Sequence, residues 1–272
     1  MGGRHGAAVC SGRHDLAKTN AVIFPNPVKE KLARGEVSIG SWLNLASPLA
    51  AEVLAEAGYE WLAIDAEHTP WDLGEITHAV RAIEARGAVP MARAWSHEPE
   101  GIGRILDTGV MGLIVPHVST VEQAEAIADA VRFAPRGHRS GGNSRAAISA
   151  DYVSGINDNL LVCPQIEDRE GVDNIAEIMA VDGMDVAFIG PNDLVVAMGY
   201  TRADVYRVPE HLEAMARILA GAQTNGKPAG TPAPTVAHAR QFIAQGFTFI
   251  DLSSDLRMLA QVASQELQAA RA

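Results

Sequence analysis

Residues 60–93, EWLAIDAEHTPWDLGEITHAVRAIEARGAVPMAR, hold one full turn of a pattern that runs through the chain. The apolar run at 60–65 reads as a buried strand, and 88–93 reads as the next one. Between them, 72–86 sets apolar residues three and four apart, the spacing of an amphipathic helix. Gly87 stands where that helix should end and the second strand begin. The first run breaks its own rule at its tip, where Asp65, Glu67 and His68 arrive within four positions. Ionisable groups are costly in a core without partners, so the strand must deliver them to an edge.

Working outward, the same alternation repeats. Strand-like runs fall at 37–43, 60–65, 88–93, 111–115, 160–166, 184–190, 227–231 and 248–252, with helical stretches such as 48–57, 72–86, 120–132 and 234–245 between them. Strands that alternate with helices, with no break in composition, imply one parallel sheet covered by helices. A count of eight favours a closed α/β (β/α)8 TIM barrel over an open doubly wound sheet. Residues 28–272 are expected to form that barrel as a single domain. Residues 1–27 are expected to be a flexible or partner-wrapping arm, with His5, Cys10 and His14 as weak metal candidates.

Composition narrows the function. The 272 residues are 47% hydrophobic with a formal net charge of −11. No basic stripe is present to neutralise phosphates, which argues against nucleic acid or an anionic membrane as partner. Two cysteines make no disulfide framework, which points to the cytoplasm. No apolar stretch is long enough to span a membrane, and the N-terminus lacks the apolar region of a signal peptide.

In such a barrel the loops after the strands build the site. Those ends offer Asp65, Glu67 and His68, then Arg93, His117, Gln165 and Glu167, and finally Asn192, Asp193, Ser253 and Ser254. Gln165 and Glu167 are two apart and share a face if the strand continues. Asp193 could simply cap a helix, and Gly190 with Pro191 favours a tight turn whose backbone N–H groups could hold an anion. Neighbouring strands would set Glu167 beside Asp193, and adjacent carboxylates repel unless a cation sits between them. No zinc-like Cys/His spacing is present, so an all-oxygen site suggests Mg2+ or Mn2+. The fork of Arg93 suits either a buried acid or a substrate carboxylate. His68 could be a solvated surface group, or a general base oriented by Asp65. His117 could face substrate or pack. The loop 136–147 (RGHRSGGNSRAA) could cradle a phosphate, close as a lid or meet another subunit.

The motifs GSWLNLASPLAAEVLAEAGYEWLAIDAEHTP, PMAR, LIVPHV, RFAPRGHRS, VCPQIEDREGVDN and FIGPNDLVVAMGY, in this order, resemble the metal-dependent pyruvate aldolases. That family is typified by 2,4-dihydroxyhept-2-ene-1,7-dioate aldolase and 2-dehydro-3-deoxyglucarate aldolase. The resemblance covers roughly residues 36–265. It implies a barrel with Glu167 and Asp193 as metal ligands, and Arg93 and Gln165 near a bound 2-oxo acid. It also implies backbone at Gly190, Pro191 and Asn192 holding the carboxylate, His68 with Asp65 in proton transfer, and a homo-oligomer, trimeric or hexameric. Four features depart from the family pattern: Ala66 before the Glu-His pair, His117 where Met or Phe is common, the region after RGHRSGGNSRAA, and FIDLSSDL in place of a Val-Gly run in the last strand.

The chemistry expected is reversible retro-aldol cleavage of a 4-hydroxy-2-oxo acid to pyruvate, or a related 2-oxo acid, and an aldehyde. A divalent metal and Arg93 would stabilise the enolate, and His68 polarised by Asp65 would act as base. No strand-end lysine stands ready for a Schiff base, since Lys227 opens its strand at the wrong end. Two other readings stay open: an oxaloacetate decarboxylase using the same enolate site, and a barrel that binds an anion without turnover.

Overall fold

Strands apolar along their whole length need cover on both faces and a partner on both edges, and a closed barrel supplies both. In the computed structural model, which describes residues 24–272, this is the architecture. The strands are β1 (Ser38–Leu43), β2 (Trp61–Asp65), β3 (Val89–Arg93), β4 (Gly112–Val115), β5 (Leu161–Ile166), β6 (Ala187–Ile189), β7 (Ala229–Ala233) and β8 (Phe249–Ser254). They pair in parallel in chain order, and β8 returns to β1 to close the barrel.

Helices cover the outside. In the first half they are α1 (Pro27–Ala33), α2 (Pro48–Glu56), α3 (Leu73–Ala85), α4 (Pro99–Leu106), α5 (Val121–Val131) and α6 (Tyr152–Asn159). In the second half they are α7 (Arg169–Asp173), α8 (Ile175–Ala180), α9 (Pro191–Ala197), α10 (Pro209–Thr224), α11 (Val236–Gln245) and α12 (Asp255–Arg271). Their starts are written in the sequence. Asp72 with Glu75, and Thr120 with Gln123, form reciprocal capping boxes that satisfy the first N–H groups of α3 and α5.

The lower interior is a tier of large rings. Trp61 and Phe249 stack with centroids 4.1 Å apart, and Phe188 meets Phe249 edge-on at 5.9 Å. Gly40, on β1 between the two strands that carry these rings, leaves the room: a Cβ there would lie inside the Trp61 ring. With the floor filled this way, the next inward positions up each strand form the base of the mouth.

Of the boundaries that differ from expectation, three have a visible cause. β7 begins at Ala229 rather than 227, because Lys227 and Pro228 are still completing the turn from α10. β6 is confined to Ala187–Ile189, because Asp185 anchors the preceding segment through its side chain, accepting from the Val162 N–H at 2.8 Å. The expected arm ends earlier than residue 27. Asn26 is buried and caps α1, and its amide donates to Met111 O at 2.9 Å and Asn159 O at 3.0 Å. Residues 24–27 therefore belong to the barrel, while His5, Cys10 and His14 lie outside the described residues.

The loop 136–147 also departs from the lid and phosphate readings. It connects α5 toward β5 and so approaches that strand from its N-terminal side. Two of its three arginines are committed to the barrel wall, Arg139 between Phe133 and Tyr152 with a bond to Asp107, and Arg145 paired with Glu84, while Arg136 pairs with Asp158 at the surface.

Candidate active site

The C-terminal ends of the strands surround a cleft of about 320 Å3, walled by Trp42, Asp65, Arg93, Gln165, Gly190 and Asp251 among others. Register explains the first contact. Asp65 and Arg93 end neighbouring strands as paired residues, so the guanidinium lies against the carboxylate. Arg93 Nε and Nη2 both donate to Asp65 Oδ1, at 2.9 and 2.8 Å. Arg93 Nη1 reaches Glu67 Oε2 at 3.2 Å, and the guanidinium lies 4.9 Å from the Trp42 ring centroid. Of the two roles open to this fork, the structure shows the buried acid, on a side chain that also lines the cleft.

The expected Asp65–His68 dyad is not what forms. The chain turns after Asp65, so the His68 backbone N–H, not its ring, approaches Asp65 Oδ1 at 3.3 Å. Asp65 is otherwise engaged by Arg93 and by the Asn44 amide at 3.2 Å. The His68 ring instead faces Glu67 at 3.6 Å and is largely exposed. Glu67 is the residue to which sequence reasoning gave no role. It meets Arg93, His68 and also His117, whose Nε2 lies 3.4 Å away. Its position two residues after Asp65 was the available signal.

Glu167 is buried and heavily served. It accepts from the Gln165 amide at 2.5 Å and from the His117 backbone N–H at 2.7 Å, with the His117 Nδ1 at 3.1 Å. The His117 ring thus spans Glu67 and Glu167. Burial pushes the Glu167 carboxyl up from its ordinary value; the bonds from Gln165 and His117 pull it down, and the Asp193 charge raises it again. Asp193 sits in the first turn of α9, half-exposed, where Arg202 approaches it at 3.3 Å. Arg202 was not among the expected neighbours; it comes from the following loop.

The anion-holding turn is narrower than expected. The Gly190 N–H donates to Ile166 O at 3.0 Å, and Pro191 has no N–H, so of the three residues only Asn192 keeps a backbone donor for a ligand. Gly190 serves by its missing side chain: a Cβ there would collide with Glu167 Oε2 and crowd the Gln165 amide. Beneath the turn lies a buried support. Tyr206 N–H points at His211 Nδ1 at 3.4 Å, which fixes Nε2 as the donor to Pro191 O at 3.1 Å.

Strain gathers at the same rim. Among the described residues, the non-glycine residues with left-handed backbone are Ala46 (φ 49°), His117 (56°) and Ser253 (67°), each beyond or near the end of a strand, and Tyr206 (61°), in the turn between α9 and α10 that lines the cleft. Such conformations cluster where structure serves a site. Ser253 falls where the last strand departs from the Val-Gly run of the family pattern.

These features define a barrel enzyme whose acids, arginine and histidines converge on one mouth, and comparison with known proteins places it. The chain belongs to the HpcH/HpaI aldolase/citrate lyase family, whose model matches residues 38–262, and it is an aldolase, a carbon–carbon lyase. It is 37% identical over 241 residues to the 5-keto-4-deoxy-D-glucarate aldolase of Escherichia coli (strain K12 / DH10B), covering 87% of this chain and 93% of that one. A family protein from Burkholderia cenocepacia J2315 superposes with a TM-score of 0.86 at 36% identity, over 91% of this chain and all of the other. The HpcH/HpaI aldolase from Desulfitobacterium hafniense DCB-2 gives 0.82 at 25% identity, over 89% and 96%. Among the described residues no helix is long and apolar enough to cross a membrane.

Proposed function

We propose that this mouth cleaves a 4-hydroxy-2-oxo acid into pyruvate, or a closely related 2-oxo acid, and an aldehyde, with Mg2+ or Mn2+ held by Glu167 and Asp193. The observation that carries the reading is the pair of carboxylates at one rim, Glu167 buried just past the end of β5 and Asp193 in the first turn of α9 after the neighbouring β6, whose like charges repel. A cation would relieve that repulsion. The residues fit such an ion. The donors are hard oxygens, and Gly190 keeps the space beside Glu167 clear, where a Cβ would collide with its Oε2. Among the described residues no three His, Cys, Asp or Glu side chains form a ready metal cage, so substrate and water oxygens would complete the shell. When bound, the metal would supply Lewis-acid polarisation of the 2-oxo group.

The chain's own groups do the rest. In the cleavage direction a base removes the proton of the C4 hydroxyl, the C3–C4 bond breaks, and its electron pair passes into the 2-oxo group as an enolate. Arg93 adds fixed positive charge beside that developing oxygen. His68, exposed at the rim with Glu67 beside its ring, is the base we assign. Asp65 fixes Arg93 and, through the His68 N–H, the turn that carries the base. Gln165, His117 and the Gly190–Pro191–Asn192 backbone form the wall that receives the acid. The relatives named as 5-keto-4-deoxy-D-glucarate aldolases favour a sugar-acid substrate with a second carboxylate.

Proton exchange at the pyruvate methyl in D2O, followed by NMR, tests the reading without knowledge of the aldehyde. Exchange is expected with added Mg2+ or Mn2+ and its loss after chelation. Full exchange in metal-free enzyme would overturn the metal assignment, and CO2 release from oxaloacetate without aldol products would make the protein a decarboxylase. We also propose a homo-oligomer: α2 exposes Leu49 and Val53, and α12 exposes Leu256, Leu259 and Val262, apolar surface that further copies would cover. Sedimentation velocity measures this directly.

A further inference from the structure

Asp251 is the one acidic side chain lining the cleft that the reaction above does not use. It lies on β8 two residues beyond Phe249, so its side chain turns inward one tier above the stacked rings. It is 2% exposed, yet it lines the cleft together with Trp42 and Arg93. The pairing of β8 with β1 slips just above it: Gly40 pairs with Asp251, but Trp42 pairs with Ser254. One extra residue on β8 is a bulge, the device by which strands re-aim side chains beside sites. Ser253, inside that bulge, holds the left-handed backbone.

Two buried side-chain oxygens that line this cleft, Asp251 Oδ1 and Gln165 Oε1, have no hydrogen-bond partner among the described residues. Burial drives the Asp251 carboxyl well above the ordinary carboxylate range, against the N–H groups of Trp42 and the charge of Arg93. A neutral carboxyl both accepts and donates, whereas Gln165 Oε1 only accepts. An unmet acceptor needs a donor from the ligand. The carboxylate and keto oxygens of a 2-oxo acid have no hydrogen to give, and a methyl group satisfies neither orphan. A hydroxyl satisfies both kinds.

We infer that Asp251 is a specificity-determining residue that binds a hydroxyl on C3 of the 2-oxo acid, so that the cleft takes hydroxypyruvate-type acids in preference to pyruvate. This rests on the reading of the mouth as an enolate-forming 2-oxo acid site. The base of the cleft, close to Arg93, is where the small acid half would sit, and the aldehyde half would extend toward solvent.

The test compares C3–H exchange in D2O for hydroxypyruvate and for pyruvate, in the wild type, Asp251→Ala and Asp251→Asn, with Mn2+ or Mg2+ supplied. The intrinsic lability of hydroxypyruvate is the same for every protein, so the ratio of the two kcat/KM values isolates the side chain. A site built to bond a hydroxyl discriminates strongly against the analogue lacking it, and Asp251→Ala should lower that ratio by roughly tenfold or more. Asp251→Asn, of the same shape with donor and acceptor kept, should retain part of it and guards against misfolding of the alanine variant. Protection against thermal unfolding by each acid gives a second readout that needs no turnover. An unchanged ratio in both variants would overturn the inference, leaving a buried water as the partner of Asp251. Exchange of neither acid by the wild type would instead remove the reading of the site, and this inference with it.

Discussion

At the floor of the barrel Lys29 meets Asp185 at 3.0 Å, Lys31 meets Glu60 at 2.5 Å, and Lys227 donates to Val181 O at 3.0 Å. Each of these charges is held by fixed contacts within the wall, Lys29 also by Leu160 O, Asp185 by the Val162 N–H and Glu60 by the Ser38 hydroxyl, and together they tie α1 and the strand starts into a closed base. The mouth is organised otherwise. Glu67 is shared by Arg93, His68 and His117, and Glu167 by Gln165 and His117, while Gln165 Oε1 and Asp251 Oδ1 go unmet. Away from the mouth there are unmet polar atoms too, Trp61 Nε1, Thr248 Oγ1, Glu84 Oε1 and Arg139 Nε, but Glu84 and Arg139 are each ion-paired through another atom, to Arg145 and Asp107. The difference separates stability from function: charges paired off at one end hold the fold, and charges left with capacity to spare at the other await a ligand.

Substitutions can break this contrast. The largest effect is expected at Glu167. Glu167→Gln removes one carboxylate of the proposed metal pair and should lower kcat/KM by roughly 10²–10³-fold, the scale of losing a preorganised charge at the reacting centre. Because burial already disfavours its ionised form, the melting temperature should hold or rise. Steady-state kinetics with thermal unfolding checks both. Near-normal turnover would remove Glu167 from the mechanism.

Arg93→Lys comes next. An ammonium keeps the charge but cannot bond Asp65 twice and reach Glu67 as well. We expect about a 10²-fold loss in kcat/KM with some loss of stability, since Asp65 and Glu67 are themselves buried or nearly so. Normal constants in this variant would make Arg93 purely structural.

The opposite signature is expected from the floor. Asn26→Ala deletes a helix cap and two buried bonds to Met111 and Asn159, at a cost of about 2 kcal/mol. For a chain of this size that lowers the melting temperature by several degrees and leaves kcat alone. A fall in kcat at permissive temperature would show that floor and mouth are coupled.

How far the sequence discloses this plan depends on the kind of information. The eightfold alternation and the end of the barrel at which the ionisable candidates gather were both legible, because burial imposes period and topology on the chain itself. The residues at the mouth were legible too, since Asp65, Arg93, Gln165 and Glu167 follow directly from strand ends. Their partners were not. Spacing says that Asp65 and His68 are close along the chain, but a turn decides that Arg93, 28 positions away, takes the carboxylate. Arg202 reaches Asp193 from an exposed loop, which no periodicity marks. The short β6 escaped for a similar reason: residues 184–190 read as strand throughout, yet the Asp185 side chain supplies the Val162 N–H with its acceptor.

The smallest expected effect probes the boundary between the two ends. His211 is buried under the mouth with Nδ1 facing the Tyr206 N–H and Nε2 donating to Pro191 O, an arrangement that requires the neutral ring. Burial lowers its pKa from the ordinary 6.5, and the bond to Pro191 only partly offsets this. The sign follows from proton counting. Between the lowered folded value and 6.5 the unfolded chain binds the extra proton, so stability rises with pH across that interval. Stability contributed by neutral His211 is therefore whole above 6.5 and declines as pH falls below it, by about 1.4 kcal/mol for each unit of depression. His211→Gln keeps a donor for Pro191 without titrating near neutrality, and should flatten that part of the stability profile. Chemical unfolding of both proteins from pH 5 to 8 measures the slope. An equal slope in the two would mean that His211 is not the group that titrates, and that the support under Gly190–Pro191–Asn192 does not depend on its neutral ring.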